Sequence, residues 1–304
     1  PQEGFISRNE IADGLQINGP SIVQDIFCTV NIDQGWCGTV GSKGTIKLKK
    51  TSTDQSNKNL KQSPLVEQEL FTSRLNSIVE NMGQLLKRTA VSTNIKERLD
   101  FSCALLDLNG QLVANAPHIP VHLGALGLCV RSVTSNKKIN PGDMFITNHP
   151  SHGGSHLPDI TVISPVFDDK DSLIGYIANR AHHAEIGGIS PGSMPPLAKS
   201  LTEEGIVIPP TLLYQSDRPQ FDKIEKILNS PPWPTRCIED NLADIKAQAA
   251  ANFLGVNALR KMALEYGTNK IIDQINKLRS RASNAMIRRI KSMPTGKYFT
   301  KEEL

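Results

Sequence analysis

The chain has 304 residues, of which 38% are hydrophobic and 21% are charged, an ordinary composition for a globular protein with one large or two smaller cores. Its 34 basic and 30 acidic residues give a formal net charge of +4, a mild excess that does not indicate nucleic-acid binding. No apolar run approaches the roughly 18 residues of a membrane span. Five scattered cysteines without a C-x-x-C pair favour a reducing compartment, so we expect a cytosolic protein.

The N-terminal 50 residues predict a small β-rich module. Short apolar runs alternate there with turn sequences that contain glycine, asparagine or proline, as in short strands joined by tight turns. The runs are Ile22–Val23, Ile26–Phe27 and Ile46–Leu48. Residues 51–63 are polar, with almost nothing to bury, and predict a linker. Residues 64–304 are then expected to form a larger domain.

The larger domain begins with a predicted helix and then becomes mixed. Apolar residues from Phe71 to Leu86 recur every three or four positions, which predicts an amphipathic helix starting near Pro64. Strand-like segments then alternate with loops, and a proline-rich stretch at 187–210 predicts a functional loop or lid. The segments are 103–106, 161–166 and 173–178. Two helices are expected at the end, over 238–254 and 257–293, the second interrupted near Gly267.

All seven histidines fall between residues 118 and 183, which predicts a site of concentrated chemistry. They are His118, His122, His149, His152, His156, His182 and His183. His156 and Asp159 directly precede a predicted strand, and Asp100 precedes another. Imidazole nitrogens and carboxylate oxygens without nearby thiolates favour an open site for a divalent Mn, Fe or Zn ion. We therefore expect an α+β protein with a β-rich N-terminal remnant and a larger mixed α/β metal-binding domain ending in helices.

Several of these residues also have a structural interpretation. His118 and His122 are expected to support the site, and the glycine-rich loop around His149 and His152 is equally typical of a turn or an anion cradle. His182 and His183 follow a strand, so their side chains should point to opposite faces and only one should reach a metal, with His182 favoured. Cys103 next to Asp100 could serve as a nucleophile, but its apolar neighbours favour a buried strand. The basic C-terminal helix is best explained as a solvated helix face.

Four long motifs resemble the hydantoinase B/oxoprolinase family, and most closely the eukaryotic-type fused 5-oxoprolinases. The resemblance covers about residues 64–292, and residues 1–50 are similar to the tail of the hydantoinase A part that precedes the B part in fused enzymes. The motifs are Ser92–Leu105, Asn115–Gly124, Asn148–Asp159 and Arg180–Gly188. The chain is therefore expected to be a truncated piece of a longer protein.

The resemblance implies ATP-dependent opening of the 5-oxoproline lactam to glutamate, as part of glutathione turnover. The missing A part would use ATP and Mg to phosphorylate the lactam oxygen, and the B part would complete hydrolysis at a divalent metal. Carried over by position, the metal ligands are Asp100, His156, Asp159 and one of His182 or His183. The first three of these are the expected catalytic residues. Lys96, Arg98 and His152 are our candidates for contacting the substrate, and surface salt bridges are the alternative role for Lys96 and Arg98.

The resemblance also leaves alternatives open. Glu185 stands where the family usually has aspartate. Its longer side chain puts in doubt a role in supporting the metal ligands but leaves the ligands themselves unchanged. A module of an N-methylhydantoinase or a related ATP-dependent carboxylase would share this architecture. A non-catalytic fragment that binds only a metal or a partner is a third interpretation. Because no phosphate-binding loop is recognisable, the chain alone is not expected to hydrolyse ATP. Its expected partners are a hydantoinase A-like domain or subunit and further copies of itself.

Overall fold

The computed structural model describes most of the chain, namely residues 5–25, 28–51, 64–115, 119–135 and 137–302. The chain divides into two compact units, Pro1–Leu65 and Val66–Leu304. The predicted strand at Ile26–Phe27, all but the first residue of the predicted linker, and His118 lie outside the described residues.

The first unit consists of short strands, which confirms the prediction of a β-rich N-terminal part. One sheet has the order β1-β3-β4 and the other the order β2-β5-β6. The strands are β1 (Phe5–Ser7), β2 (Gln16–Asn18), β3 (Ser21–Gln24), β4 (Thr29–Ile32), β5 (Trp36–Val40) and β6 (Ile46–Lys50). Strands from both sheets contribute to one small core, which contains Ile17, Val23, Ile32 and Val40.

The second unit is built on a seven-stranded sheet of order β13-β12-β9-β10-β11-β7-β8, in which every neighbouring pair is antiparallel. Its strands are β7 (Phe101–Leu106), β8 (Leu112–Asn115), β9 (Met144–Thr147), β10 (Asp159–Phe167), β11 (Leu173–His182), β12 (Thr211–Gln215) and β13 (Arg218–Pro219). Its helices are α1 (Pro64–Thr89), α2 (Thr93–Lys96), α3 (Pro120–Thr134), α4 (Leu201–Glu204), α5 (Phe221–Leu228), α6 (Ile238–Tyr266) and α7 (Thr268–Lys291). No helix within the described ranges has the length and apolar character that crossing a membrane requires.

Helices cover both faces of this sheet, so its central strands are buried on both sides. Helices α1, α6 and α7 pack on one face, and the predicted apolar stripe of α1 lies in this core. Helix α3 packs on the other face. Successive strand residues therefore alternate between the two cores. In β7, Phe101, Cys103 and Leu105 contact the α1 side, whereas Ala104 and Leu106 contact the α3 side.

Two helices differ from the sequence-based expectation. Helix α6 runs without a break from Ile238 to Tyr266, whereas the sequence predicted one helix ending at 254 and another beginning at 257. A Cβ at Gly255 would lie 2.5 Å from Met82 Sδ and 2.9 Å from Ile177 Cγ2, so glycine permits close packing there rather than ending the helix. Helix α3 was not predicted, because apolar residues lie on its exposed face as well, with Leu128 55% exposed, and obscure the helical period. The proline-rich stretch at 187–210 is irregular, as expected, apart from the single turn of α4.

Candidate metal centre

The pairing of β10 with β11 brings together three of the predicted ligands. Asp159 is the first residue of β10 and lies opposite His182, the last residue of β11. His156 precedes Asp159 in a tight turn closed by the hydrogen bond from Asp159 N to His156 O, 2.9 Å long. One ligand atom from each of the three side chains lies within 4.8 Å of the others. We call His156, Asp159 and His182 the His-Asp-His cluster.

Asp100 lies at the border of this cluster, just before β7. Its Oδ2 is 3.9 Å from Nδ1 of His182, and its backbone oxygen accepts a 2.9 Å hydrogen bond from His182 N. The Asp100 side chain is 32% exposed, compared with 6% for Asp159. The cluster is therefore open to solvent on the Asp100 side and closed on the Asp159 side.

Asp159 is the most constrained carboxylate of the group. Its Oδ1 is 2.8 Å from Nδ1 of His182, and its Oδ2 accepts a 2.7 Å hydrogen bond from Ser155 Oγ and faces His122 Nε2 at 3.5 Å. Burial opposes ionisation of Asp159, but the hydrogen bonds from His122, His182 and Ser155 outweigh it and hold its pKa well below the usual range. Asp159 is thus a carboxylate that is negatively charged at neutral pH.

The two adjacent histidines have different surroundings. His182 turns towards Asp159 and Asp100. His183 is fully buried, with Nδ1 2.8 Å from Asn241 Oδ1 and Nε2 3.0 Å from Gln248 Oε1. Because both of its ring nitrogens are occupied by side-chain amides of α6, His183 does not join the cluster. The strand pattern predicts that these two adjacent side chains point to opposite faces, and their different partners agree with this.

His156 connects the cluster to the proline-rich stretch. Its Nε2 is in hydrogen-bond contact with the backbone oxygen of Ser193, and the centroids of the His156 and His182 rings are 5.3 Å apart. Residues of the 187–210 loop therefore lie directly on the candidate site. An ion there would compete with Ser193 for the same imidazole nitrogen.

The donor set suits a divalent transition metal. Four ligands at about 2.1 Å from one tetrahedral ion lie about 3.4 Å from each other. The two carboxylates lie 2.8 Å and 3.9 Å from His182 Nδ1, and the ligand atom of His156 lies within 4.8 Å of those of Asp159 and His182. Two imidazoles and two carboxylates without a thiolate suit Mn, Fe(II) or Zn. The carboxylates Asp100 and Asp159 would balance the charge of such an ion.

The three predicted substrate-binding residues lie outside the cluster. Lys96 and Arg98 are exposed, in the segment that leads to Asp100. Neither side chain makes a hydrogen bond or ion pair with a described residue, so both are available to an anionic ligand. His152 is half-buried, with Nδ1 2.8 Å from Ser132 Oγ of α3, and its ring lies 5.3 Å from that of His149.

Other sequence candidates have structural environments. Cys103 is fully buried, and this burial raises the pKa of its thiol far above the ordinary value, which argues against a nucleophilic role. Glu185 accepts hydrogen bonds from Gly187 N and Arg236 N at 2.9 Å each and makes no contact with the cluster. Two residues next to Asp159 were missed, Ser155 and the buried Arg180. For the second, the available signal was an arginine two residues beyond the predicted strand 173–178 and two residues before His182.

A comparison with family models matches residues 65–304 to Hydantoinase B/oxoprolinase. The chain belongs to this family. The hydantoinase B/oxoprolinase match begins at the start of α1 and includes every candidate ligand.

Among curated relatives, 5-oxoprolinase 1 of Arabidopsis thaliana is 41% identical over 92% of this chain and 23% of its own length. The 5-oxoprolinase of Saccharomyces cerevisiae is 39% identical over 94% of this chain and 23% of its own length. The chain thus spans less than a quarter of these relatives. Among solved structures, the ATP-dependent caprolactamase of Pseudomonas jessenii is similar with a TM-score of 0.68 and 26% identity, over 77% of this chain and 40% of that chain.

Proposed function

We propose that this chain is a piece of the B-type module of a 5-oxoprolinase-like enzyme, which opens the 5-oxoproline lactam to glutamate at a divalent metal with hydrolysis of ATP. The observation that carries the proposal is the convergence of His156, Asp159 and His182 within 4.8 Å, with Asp100 3.9 Å from His182. The substrate is proposed because two relatives at about 40% identity are named 5-oxoprolinases.

The proposed reaction divides between two parts of a longer polypeptide. An unstrained amide resists water, and phosphorylation of its oxygen by an ATP-using part would make the ring carbon electrophilic. In this chain, His156, Asp159, His182 and Asp100 would hold the ion. A divalent ion there would supply Lewis acidity to polarise the reacting oxygen.

The substrate's own charges suggest where it would lie. The open side of the cluster is the Asp100 side, and the segment just before Asp100 carries the exposed cations Lys96 and Arg98. Their place in the chain makes both cations candidates to bind a carboxylate or phosphate that approaches from this side, and arginine can bind such groups with two parallel hydrogen bonds. We assign these two residues to substrate binding and not to metal binding.

The first test is metal binding by the chain itself. We expect the purified chain to bind one divalent ion, and we expect His156→Ala with Asp159→Ala to abolish this binding, measured by elemental analysis after dialysis. His149→Ala is the matched control, because His149 belongs to the preceding loop and its Nδ1 accepts only a local bond from Ser151 N. A folded wild-type chain without a bound ion would favour the non-catalytic interpretation.

The second part of this test restores the longer polypeptide and measures ATP-dependent glutamate release from 5-oxoproline. The double variant should lose at least about 100-fold in rate, since two ligands of a metal site are removed together. Activity that survives the double substitution would refute the site. The likeness to a caprolactamase favours a lactam of different ring size as the second candidate substrate. Parallel assays with 5-oxoproline, caprolactam and hydantoin separate these possibilities.

A further inference from the structure

Arg180 is a buried cation that, among the described residues, has no charged partner in direct contact. It lies on β11, two residues before His182, and is 0% exposed. Its Nε donates to Thr161 Oγ1 at 2.8 Å, its Nη1 to Ser155 Oγ at 3.1 Å and its Nη2 to Gly153 O at 2.7 Å. All three acceptors are neutral, and the Cys129 side chain also contacts the guanidinium. Because burying an unpaired charge is costly, a buried arginine calls for a specific explanation.

The nearest carboxylate is reached through a single hydroxyl. Ser155 Oγ, which accepts from Arg180, donates in turn to Asp159 Oδ2 at 2.7 Å. The positive guanidinium and the negative carboxylate are thus joined by a two-bond relay, Arg180 to Ser155 to Asp159. This relay lies on the α3 side of the sheet, where Arg180 pairs in register with Ser102 and His122 contacts Ser102.

The direction of the relay follows from the chemistry of its members. A guanidinium can only donate hydrogen bonds, and a serine hydroxyl has one hydrogen to donate. Because Arg180 occupies an acceptor position of Ser155, the hydroxyl hydrogen is free to point at Asp159. This hydrogen bond engages Oδ2 of the carboxylate and leaves Oδ1 facing Nδ1 of His182.

We propose that Arg180 and Ser155 are positioning residues that select Oδ1 of Asp159 as the oxygen offered to the metal. They hold Oδ2 with the Ser155 hydroxyl, whose orientation Arg180 sets. Arg180 also holds the Gly153 carbonyl, which restrains the loop that carries Ser155 and leads to His156. The inference rests on the proposed metal site and adds the residues that tune it.

A purely structural role makes a different prediction. If Arg180 only ties the 153–155 loop to the sheet, removal of the Ser155 hydroxyl should change stability but leave the properties of the site intact. If the relay positions Asp159, the same small change should alter the site even when the fold is unaffected. Ser155→Ala is therefore the decisive variant, since it removes only the hydroxyl of an exposed residue and retains Arg180.

The experiment uses cobalt(II) as the probe with the whole chain. We measure the dissociation constant and the visible absorption of the bound ion for wild type, Ser155→Ala, Arg180→Lys and the double variant. Outer-shell partners of metal ligands typically contribute 10- to 100-fold to affinity, so we expect at least about 10-fold weaker binding and an altered spectrum for Ser155→Ala. Because both residues act on the same carboxylate, the double variant should weaken binding by less than the product of the single effects.

The matched control is Ser164→Ala. Ser164 is a buried serine on the same strand as Asp159, where its Oγ accepts a 3.0 Å bond from Asn252. Ser164 follows Asp159 by five positions on β10, which places it about 16 Å away along the strand. We expect it to lower stability without changing cobalt affinity. Cobalt affinity within about twofold of wild type in Ser155→Ala would overturn the proposal.

A second measurement separates this inference from the metal site itself. In the metal-free chain, the ring signals of His182 report its contact with Asp159 by NMR. We expect Ser155→Ala to shift these signals and Ser164→Ala to leave them in place. If wild type binds no cobalt but the signals shift in Ser155→Ala, the proposed function fails and the positioning of Asp159 is supported. Unshifted signals would contradict the positioning role.

Discussion

Glu185 holds together two loops near the end of β11. Its carboxylate accepts bonds from Gly187 N and Arg236 N at 2.9 Å each and from the Thr235 hydroxyl. Arg236 adds a contact from Nη1 at 3.4 Å. Burial raises the pKa of Glu185, but hydrogen bonds from Thr235, Gly187 and Cys237 outweigh it and leave this pKa below its ordinary value. The glutamate is therefore a stabilising anion, although it lies away from the cluster.

This depressed pKa predicts a pH-dependent loss of stability in Glu185→Gln. Charged hydrogen bonds contribute about 1.5 to 3 kcal/mol, so we expect the free energy of unfolding at pH 7 to fall by about 2 kcal/mol. Because the folded pKa lies below the unfolded value of about 4.3, this contribution is complete above pH 4.3 and is lost as the pH falls through the folded pKa. Urea unfolding at several pH values measures the difference.

The exposed Glu204→Gln is the control for this prediction. It should leave the free energy of unfolding within about 0.5 kcal/mol of wild type at pH 7. A difference between wild type and Glu185→Gln that stays constant down to pH 3 would show that the carboxylate charge does not stabilise these loops.

At the scale of elements, α6 is the helix that organises the α1 side of the sheet. Its buried amides bond across to β10 and β11. Gln248 Nε2 donates to Ile160 O and to Asn179 Oδ1 at 2.8 Å each, and Asn252 Nδ2 donates to Val162 O at 3.2 Å. These bonds, together with those to His183, hold the ends of the two strands that carry Asp159 and His182.

The close approach of α6 to the sheet predicts strong sensitivity at Gly255. A side chain there would enter the space of Met82 and Ile177. Overpacking of a core typically costs about 1 to 3 kcal/mol, so we expect Gly255→Val to lower the free energy of unfolding by about 2 kcal/mol or more. Thermal and urea unfolding measure the effect.

Lys261→Val places the same residue on an exposed position of the same helix and is the matched control. Valine is a poorer helix former than lysine and a better one than glycine, so a larger loss of stability in Gly255→Val than in Lys261→Val comes from the clash. Equal stability of the two variants would contradict the close packing described for α6.

At the scale of the whole molecule, all four candidate ligands lie in the second compact unit, Val66–Leu304. A chain restricted to residues 66–304 should therefore bind zinc with an affinity within about threefold of the complete chain. A ligand present at 100 times its dissociation constant stabilises a protein by about 2.7 kcal/mol. Zinc should therefore raise the unfolding temperature of the 66–304 chain and of the complete chain by similar amounts. Calorimetry with and without zinc checks this. A folded 66–304 chain that binds no zinc, while the complete chain does, would place part of the site in the first unit.

Much of the architecture follows from sequence periodicity alone. The stripe from Phe71 to Leu86 predicts α1, and runs of buried apolar residues predict β7, β10 and β11, because these patterns arise from local backbone geometry. The order of motifs also predicts the family. Helix α3 and the unbroken course of α6 were not predicted. Apolar residues on the exposed face of α3, such as Leu128, hide its period. In α6, the predicted break between residues 254 and 257 falls at Gly255, where glycine permits close packing.

The sequence by itself determined which residue types were available for metal chemistry and that His182 and His183 would face opposite sides of a strand. Only the tertiary structure decided which of the two joins Asp159, because α6 packs on the face of His183 and occupies both of its ring nitrogens. The antiparallel register places Asp159 beside His182 although the two residues are 23 positions apart in the sequence. No local sequence pattern specifies that register. The contacts of Arg180 and Ser155 with Asp159 likewise depend on the pairing of β10 with β11 and on the loop before β10.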